Sequence, residues 1–250
     1  MLKHYPKDQQ AKGSFNFGKI LENKPIGFPQ DGGALKPYST LFYWAHAWSD
    51  SGGLIDEHPH KGFEIMSYVL KGEIEHYDNR MKGWKKLKAG DAQIIRAGNG
   101  IVHAEKLNEG SAIFQIWFDP DLSKSLSQPA SYSDYPAEAF PVSESRGMKI
   151  KQIKGKGSPF EMSSKIDFIQ EITLSAGTGV IDLEPRYFYS VYCIEGSLNL
   201  NGTQIEAHDF VQISGEDSLK TEVADSARLF VIKSPASPGF KTYFDAMTGS

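Results

Sequence analysis

One grammar runs through both halves of this chain: strand, glycine turn, strand, aspartate turn, strand. Tyr68-Val-Leu-Lys-Gly72 is answered by Tyr192-Cys-Ile-Glu-Gly196, and Leu87-Lys-Ala-Gly-Asp91 by Ile205-Glu-Ala-His-Asp209. Around these anchors lie short runs rich in β-branched and aromatic residues, separated by Gly, Asn, Asp and Pro, without a helical period. Residues 39–48, 62–70, 72–77, 91–97, 112–118, 166–174, 187–196, 197–207, 209–214 and 227–233 read as strands. Asn201-Gly202, between two alternating runs, predicts a two-residue hairpin. Helix is expected only in short pieces, around Ser123 to Leu126 and Phe244 to Met247. A small antiparallel β-barrel built twice explains the doubled pattern better than one sandwich. Residues 119–146, rich in Ser, Pro and Tyr, read as the connection between the halves.

Composition narrows the function classes. At 250 residues the chain can bury a sizeable core, and 40% hydrophobic with 23% charged residues is a globular balance. A net charge of -4 argues against a general nucleic-acid binder. No apolar run is long enough for a membrane span, and the first residues carry no apolar signal core. Cys193 is the single cysteine, so a disulfide framework and a thiolate-rich zinc site are excluded, and it reads as a small buried apolar residue. A cytoplasmic protein without membrane contact is expected.

The chemistry concentrates in two short segments. In His58-Pro59-His60 the two histidines, two residues apart on a strand, point to one face, and Pro59 forbids helix. His103-Ala104-Glu105 repeats the device, with Ala104 turned away. Two such strands meeting across a barrel supply three nitrogens and a carboxylate oxygen, a suitable set for one divalent first-row metal with exchangeable positions left. Four of the seven histidines fall between positions 58 and 103. Three imidazoles and a carboxylate in an apolar barrel are costly without a cation.

These residues also carry a family resemblance. His58-Pro-His-Lys-Gly-Phe-Glu64, Glu75-His-Tyr-Asp78, Ala97-Gly-Asn-Gly-Ile-Val-His-Ala-Glu105 and Gln115-Ile-Trp-Phe118, together with Tyr68 to Gly72, resemble the pirin signature from about residue 55 to 135. The resemblance implies an all-β bicupin: two double-stranded β-helix barrels joined by a linker. Residues 1–130 would form the metal-binding cupin and residues 131–250 a cupin without ligands. It implies a metal at His58, His60, His103 and Glu105, iron(II) first, with manganese, cobalt, nickel, copper or zinc as alternatives. It also implies dioxygenolytic ring opening of quercetin-like flavonols, with Glu105 as the catalytic acceptor of the substrate hydroxyl proton. Family members in nuclei act instead as redox-responsive transcription cofactors, so a non-enzymatic role with a protein partner is the second reading. A cupin isomerase or small-acid binder is a third, prompted by Arg96: where the family commonly carries Trp-Met-Thr, this chain has Ile94-Ile95-Arg96. That places a new cation, on expectation, near the site mouth.

Aligning the repeats sets Asp182 and Glu184 against His58 and His60, and Thr221 and Val223 against His103 and Glu105, which is no ligand set. Glu64 is expected to orient an imidazole or to make a core hydrogen bond. His76 is expected on a solvated strand face and His208 in a turn. Phe63, Met66, Tyr68, Phe114 and Trp117 read as core, some of them bordering the site. Lys82, Lys85, Lys86 and Lys88 read as a solvated hairpin, and Gly177-Thr-Gly179 is not a dinucleotide fingerprint because no helix pattern follows it.

Overall fold

The structure, a computed structural model, describes residues 1–79, 83–145 and 147–249. Arg146 and Lys82 therefore lie outside the described residues. The fold is all-β. The strands of the first half are β1 (Leu2–Tyr5), β2 (Ala11–Phe15), β3 (Ile20–Ile26), β4 (Leu41–Ser49), β5 (Gly53–His60), β6 (Glu64–Lys71) and β7 (Glu73–Asp78). They continue with β8 (Trp84–Lys88), β9 (Ala92–Arg96), β10 (Ile101–Leu107), β11 (Ser111–Phe118) and β12 (Ser131–Tyr135). Then follow β13 (Val142–Ser145), β14 (Met148–Lys154), β15 (Phe168–Asp182), β16 (Tyr187–Gly196), β17 (Leu198–Leu200), β18 (Thr203–Ile205), β19 (Phe210–Ser214) and β20 (Ser218–Pro235). The two short helices, α1 (Leu122–Ser125) and α2 (Tyr243–Thr248), fall where the sequence places them. Among the described residues, no helix is long and apolar enough to cross a membrane.

Two compact units emerge, and they are not a simple cut of the chain at residue 130. One holds residues 10–139, 162–164 and 239–250; the other holds residues 1–9, 140–161 and 165–238. β1 pairs antiparallel with β19, Leu2 facing Ile213, so the amino-terminal strand belongs with the second unit. Residues 119–146 are also more than a connection. Their Ser-Tyr-Ser-Asp-Tyr segment becomes β12, the edge strand beside β9. An edge strand needs few apolar side chains, which is why its polar composition reads as loop.

The unit carrying the candidate ligands has a seven-stranded sheet, β12-β9-β6-β11-β4-β3-β2, and a four-stranded sheet, β5-β10-β7-β8, all antiparallel. Strand parity decides what faces the space between them. Ala47, Val69 and Ile113 from the large sheet form one buried cluster with Ile74, Leu87 and Leu107 from the small one. The opposite face of the large sheet, with Trp44, Met66, Tyr68 and Phe114, is fully buried as well. The solvated hairpin reading holds for β8: Lys85, Lys86 and Lys88 are exposed and only Leu87 is buried.

Asp119, just after β11, ties α2 to this unit by accepting a hydrogen bond from the Tyr243 backbone N–H at 3.0 Å, while its other oxygen has no hydrogen-bond partner. Burial pushes its carboxyl up to about 7, with Asp245 adding to the shift and the Tyr243 N–H opposing it. The folded chain thus holds this proton more tightly than the unfolded chain. The contribution is complete below about pH 4 and is lost as pH rises to about 7. In metal-free protein, Asp119→Asn should be as stable as the parent at pH 4.5 and more stable by about 1–3 kcal/mol at pH 8. Urea unfolding across that range checks it. Parallel pH profiles of parent and variant would show that Asp119 stays ionised throughout.

In the second unit, nine strands form one antiparallel sheet in the order β1-β19-β16-β20-β15-β14-β13, with β17 and β18 attached. The Asn201-Gly202 hairpin is present between β17 and β18, both residues at positive φ (49° and 85°), as that turn requires. Cys193 is buried, and burial pushes its thiol up to about 12, which makes it an inert core residue. His208 sits in a turn at φ 76° and is half-buried.

Candidate metal centre

β10 lies between β5 and β7, and that pairing assembles the histidines. On one side His103 stands opposite His58; on the other it stands opposite Asp78, and Glu105 opposite His76. A register shift between His103 and Glu105 offsets the β5 side at this point. One nitrogen from each of His58, His60 and His103 lies within 4.8 Å of the others. Their ring centroids are 4.4–4.7 Å apart. The i, i+2 spacing thus does what strand parity demands, and Pro59 turns its ring to solvent.

The state of the nitrogens fits a cation. His58 Nδ1 is 2.8 Å from the Asp56 carbonyl, which makes that nitrogen the proton carrier and leaves Nε2 as a lone pair 3.0 Å from His103 Nε2. His60 Nε2 and His103 Nδ1 are buried without a hydrogen-bond partner. Burial first, then the neighbouring imidazoles, lower the pKa of His60 to about 3 and that of His103 to about 2. Both rings are therefore neutral donors throughout the physiological range. Orphaned buried nitrogens are rare and costly, and a divalent cation among them removes the cost.

Glu105 is almost completely buried on the same strand face as His103, but the mutual 4.8 Å group consists of the three histidines. Its carboxylate accepts a hydrogen bond from Ser67 Oγ at 3.0 Å and another from the Gln115 amide. The Gln115 carbonyl in turn accepts from the Trp117 indole N–H at 3.2 Å. The Trp117 ring stands edge-on to His60, 4.7 Å between centroids, with Phe63 5.5 Å behind it. Phe63 and Trp117 border the site, whereas Met66, Tyr68 and Phe114 face the other way. From the sequence, Ser67 is assigned no role, and Gln115 enters only within the Gln115-Ile-Trp-Phe118 motif. Their signal was there: each is a polar residue at an inward position of an otherwise apolar strand.

Two expectations are corrected, for His76 and Arg96, and the alternatives for Glu64 are decided. His76 is buried, not solvated, because Ile74, His76 and Asp78 share the inward face of β7. Its Nε2 is 3.1 Å from the Asp78 carboxylate and its ring 5.5 Å from that of His103. Of the two roles expected for Glu64, the structure takes the core hydrogen bond: the side chain orients no imidazole and faces the opposite side of β6 from Ile65 and Ser67. Its carboxylate accepts from the backbone N–H groups of Ser163 and Ser164, at 2.7 Å each, and from the Ser164 hydroxyl at 2.6 Å. Arg96 follows Glu64 to that side, 3.9 Å from its carboxylate and 3.1 Å from Ser133 Oγ. A cavity of about 430 Å³ there includes Arg96, Phe63 and Glu64 in its wall but none of the imidazoles.

Residues 28–118, the span that supplies the three imidazoles, Glu105, Ser67, Gln115 and Trp117, match the family model described as Pirin. A protein of Pseudomonas aeruginosa named "Putative quercetin 2,3-dioxygenase PA1210" is 30% identical over 195 residues, covering 74% of this chain and 81% of that protein. The chain belongs to the pirin family. Pirin-1 of Arabidopsis thaliana is 32% identical over 191 residues, 71% of this pirin and 63% of the plant protein. The crystal structure of YhhW from Escherichia coli covers 96% of this pirin and all of that chain, with a TM-score of 0.78 at 20% identity. The structure of YhhW in complex with nickel(II) covers 94% of this pirin and 99% of that chain, with a TM-score of 0.75 at the same identity. These two share the fold of this pirin over the matched 96% and 94% of its length. Within that fold, its three-histidine cluster is a group able to hold a metal ion.

Proposed function

We propose that this pirin is a metal-dependent dioxygenase that opens the ring of quercetin-like flavonols with O2 at one mononuclear site. The reading rests on one observation above the others: three imidazoles converge, and the two buried ones, His60 and His103, are neutral and leave a nitrogen each unpaired. His58, His60 and His103 would hold the ion, with Glu105 as the fourth ligand, and iron(II) is the first choice. The names of the bacterial relatives and the nickel(II) complex of YhhW support both the reaction class and a first-row divalent ion. When bound, such an ion supplies Lewis acidity and a template for substrate and O2.

The chain's own residues supply the rest. The Asp56 carbonyl fixes the tautomer of His58. Ser67 and Gln115 hold the Glu105 carboxylate, which would accept the proton of a flavonol hydroxyl. Trp117 and Phe63 make an apolar wall beside His60 that suits a planar ring and keeps water out. We read the two units as two cupin barrels, the second without a metal. In support, Glu184 is engaged by Lys233 and Arg186, and Val223 carries no donor atom. A single buried cysteine suits a reducing compartment, and we place the protein in the cytoplasm.

The test is loss of flavonol absorbance under air with iron, manganese, cobalt, nickel and copper loaded in turn. Turnover should appear only with metal, and Glu105→Gln should lower kcat by about 100-fold or more while metal remains bound. No metal-dependent loss in metal-replete protein would overturn the enzyme reading in favour of a regulatory protein with a protein partner.

A further inference from the structure

The second unit contains a cavity that the proposed reaction does not use. β15 carries a bulge between Ser175 and Gly177, and its two halves contribute to one core: Ile172 and Leu174 from the first half lie in the cluster against which Ile181 from the second half packs, together with Leu219 and Val223 of β20. The folded-over sheet encloses a cavity of about 380 Å³ whose walls include Ile172, Leu174, Val191, Ile213, Leu229 and Val231. Protein interiors are normally packed to the density of organic crystals. Here several wall residues keep 5–7% of their surface open, whereas Val69, Leu107 and Ile113 in the other unit's core keep 0–1%. The lumen is therefore accessible to solvent-sized molecules. Its volume and apolar lining are those of small-molecule sites.

The polar groups in this wall define the ligand. Lys233 is buried, with Nζ 2.5 Å from Glu184 and 2.9 Å from Asp167, and 4.1 Å above the Tyr187 ring. Both carboxylates reach solvent, with nearly half of each side chain exposed. Asp182 lies two residues before Glu184 and also lines the cavity. A ligand carboxylate would add another anion beside these three. A ligand ammonium would meet Lys233. A hydroxyl does neither, because it can donate to Glu184 and accept from Lys233 at once. Asp182, Glu184 and Thr221, which the internal repeat aligns with His58, His60 and His103, all line this space. The sheet register pairs Asp182 with Ser218 and Thr221 with Gly179, so they do not reproduce the His58–His103 pairing.

We propose that the second unit is a small-molecule site for a neutral, mostly apolar compound bearing a phenolic or alcoholic hydroxyl at one end. The site is independent of the metal centre. The probe is 1-naphthol, titrated calorimetrically into the full chain and followed by methyl NMR, with naphthalene and 1-naphthoate as comparators. Saturable one-site binding is expected, with shifts centred on the methyls of Ile172, Leu229 and Val231. His103→Ala should leave it unchanged. Leu229→Phe, which fills the lumen, and Lys233→Met should each weaken it by about tenfold. Naphthalene and 1-naphthoate should both bind more weakly than 1-naphthol. The methyl map needs no variant, so a misfolded Leu229→Phe does not remove the test. The proposal fails if binding does not saturate, or if the shifts fall only on the first unit, such as Ile65 and Ile95. It also fails if naphthalene or 1-naphthoate binds as tightly as 1-naphthol.

Discussion

His103→Ala should reduce metal affinity more than 100-fold while leaving the metal-free fold intact. Loss of a residue that merely orients a ligand costs about 10–100-fold, and His103 is itself one of the three converging donors. The fold should tolerate the change because His103 Nδ1 is a buried nitrogen without a hydrogen-bond partner, so its removal relieves one penalty while opening a small void. Metal analysis of parent and variant purified side by side, with circular dichroism on both, separates loss of the site from loss of the fold. Wild-type metal content in a well-folded variant would show that the cluster is not the metal site.

Glu64→Ala should produce the largest loss of stability, about 3–5 kcal/mol in urea unfolding. The carboxylate is buried and receives three hydrogen bonds from Ser163 and Ser164. Hydrogen bonds to a charged group are each worth about 1.5–3 kcal/mol, and truncation strands both backbone donors and removes the carboxylate beside Arg96. Glu64→Gln should cost less, because it keeps one acceptor. Metal affinity of the folded variant should be unchanged, since Glu64 points away from the imidazoles. A variant of normal stability with weakened metal binding would restore the other role expected from sequence, that of orienting a histidine.

The two outcomes expose different depths of reading. The histidine trio was legible because both of its parts are local. An i, i+2 pair on an extended strand shares a face whatever else the chain does, and Pro59 removes the helical alternative. Glu64 stayed open between two roles because parity counted from His60 crosses Gly62, which sits at φ 85° and breaks the register. His76 was misjudged for a subtler reason. Its strand, Glu-Ile-Glu-His-Tyr-Asp, alternates charged residues with Ile74 and His76, and a histidine on the apolar side looks out of place until Asp78 and His103 are seen beside it.

By itself, the sequence determined that the chain is all-β, that its strand grammar repeats, and that His58 and His60 share one strand face, as do His103 and Glu105. Each of these is a property of a strand and its own turns, readable from period, turn residues and composition. Only the tertiary structure decided the partners. Ser67 on β6 and Gln115 on β11 hold a carboxylate on β10, a strand of the other sheet. Arg96 meets Glu64 instead of the imidazoles, and β1 joins β19 more than 200 residues away in sequence. Pairing and sheet packing set these contacts. A shift of one residue in register turns every side chain of a strand to the other face, and no local pattern contains that information.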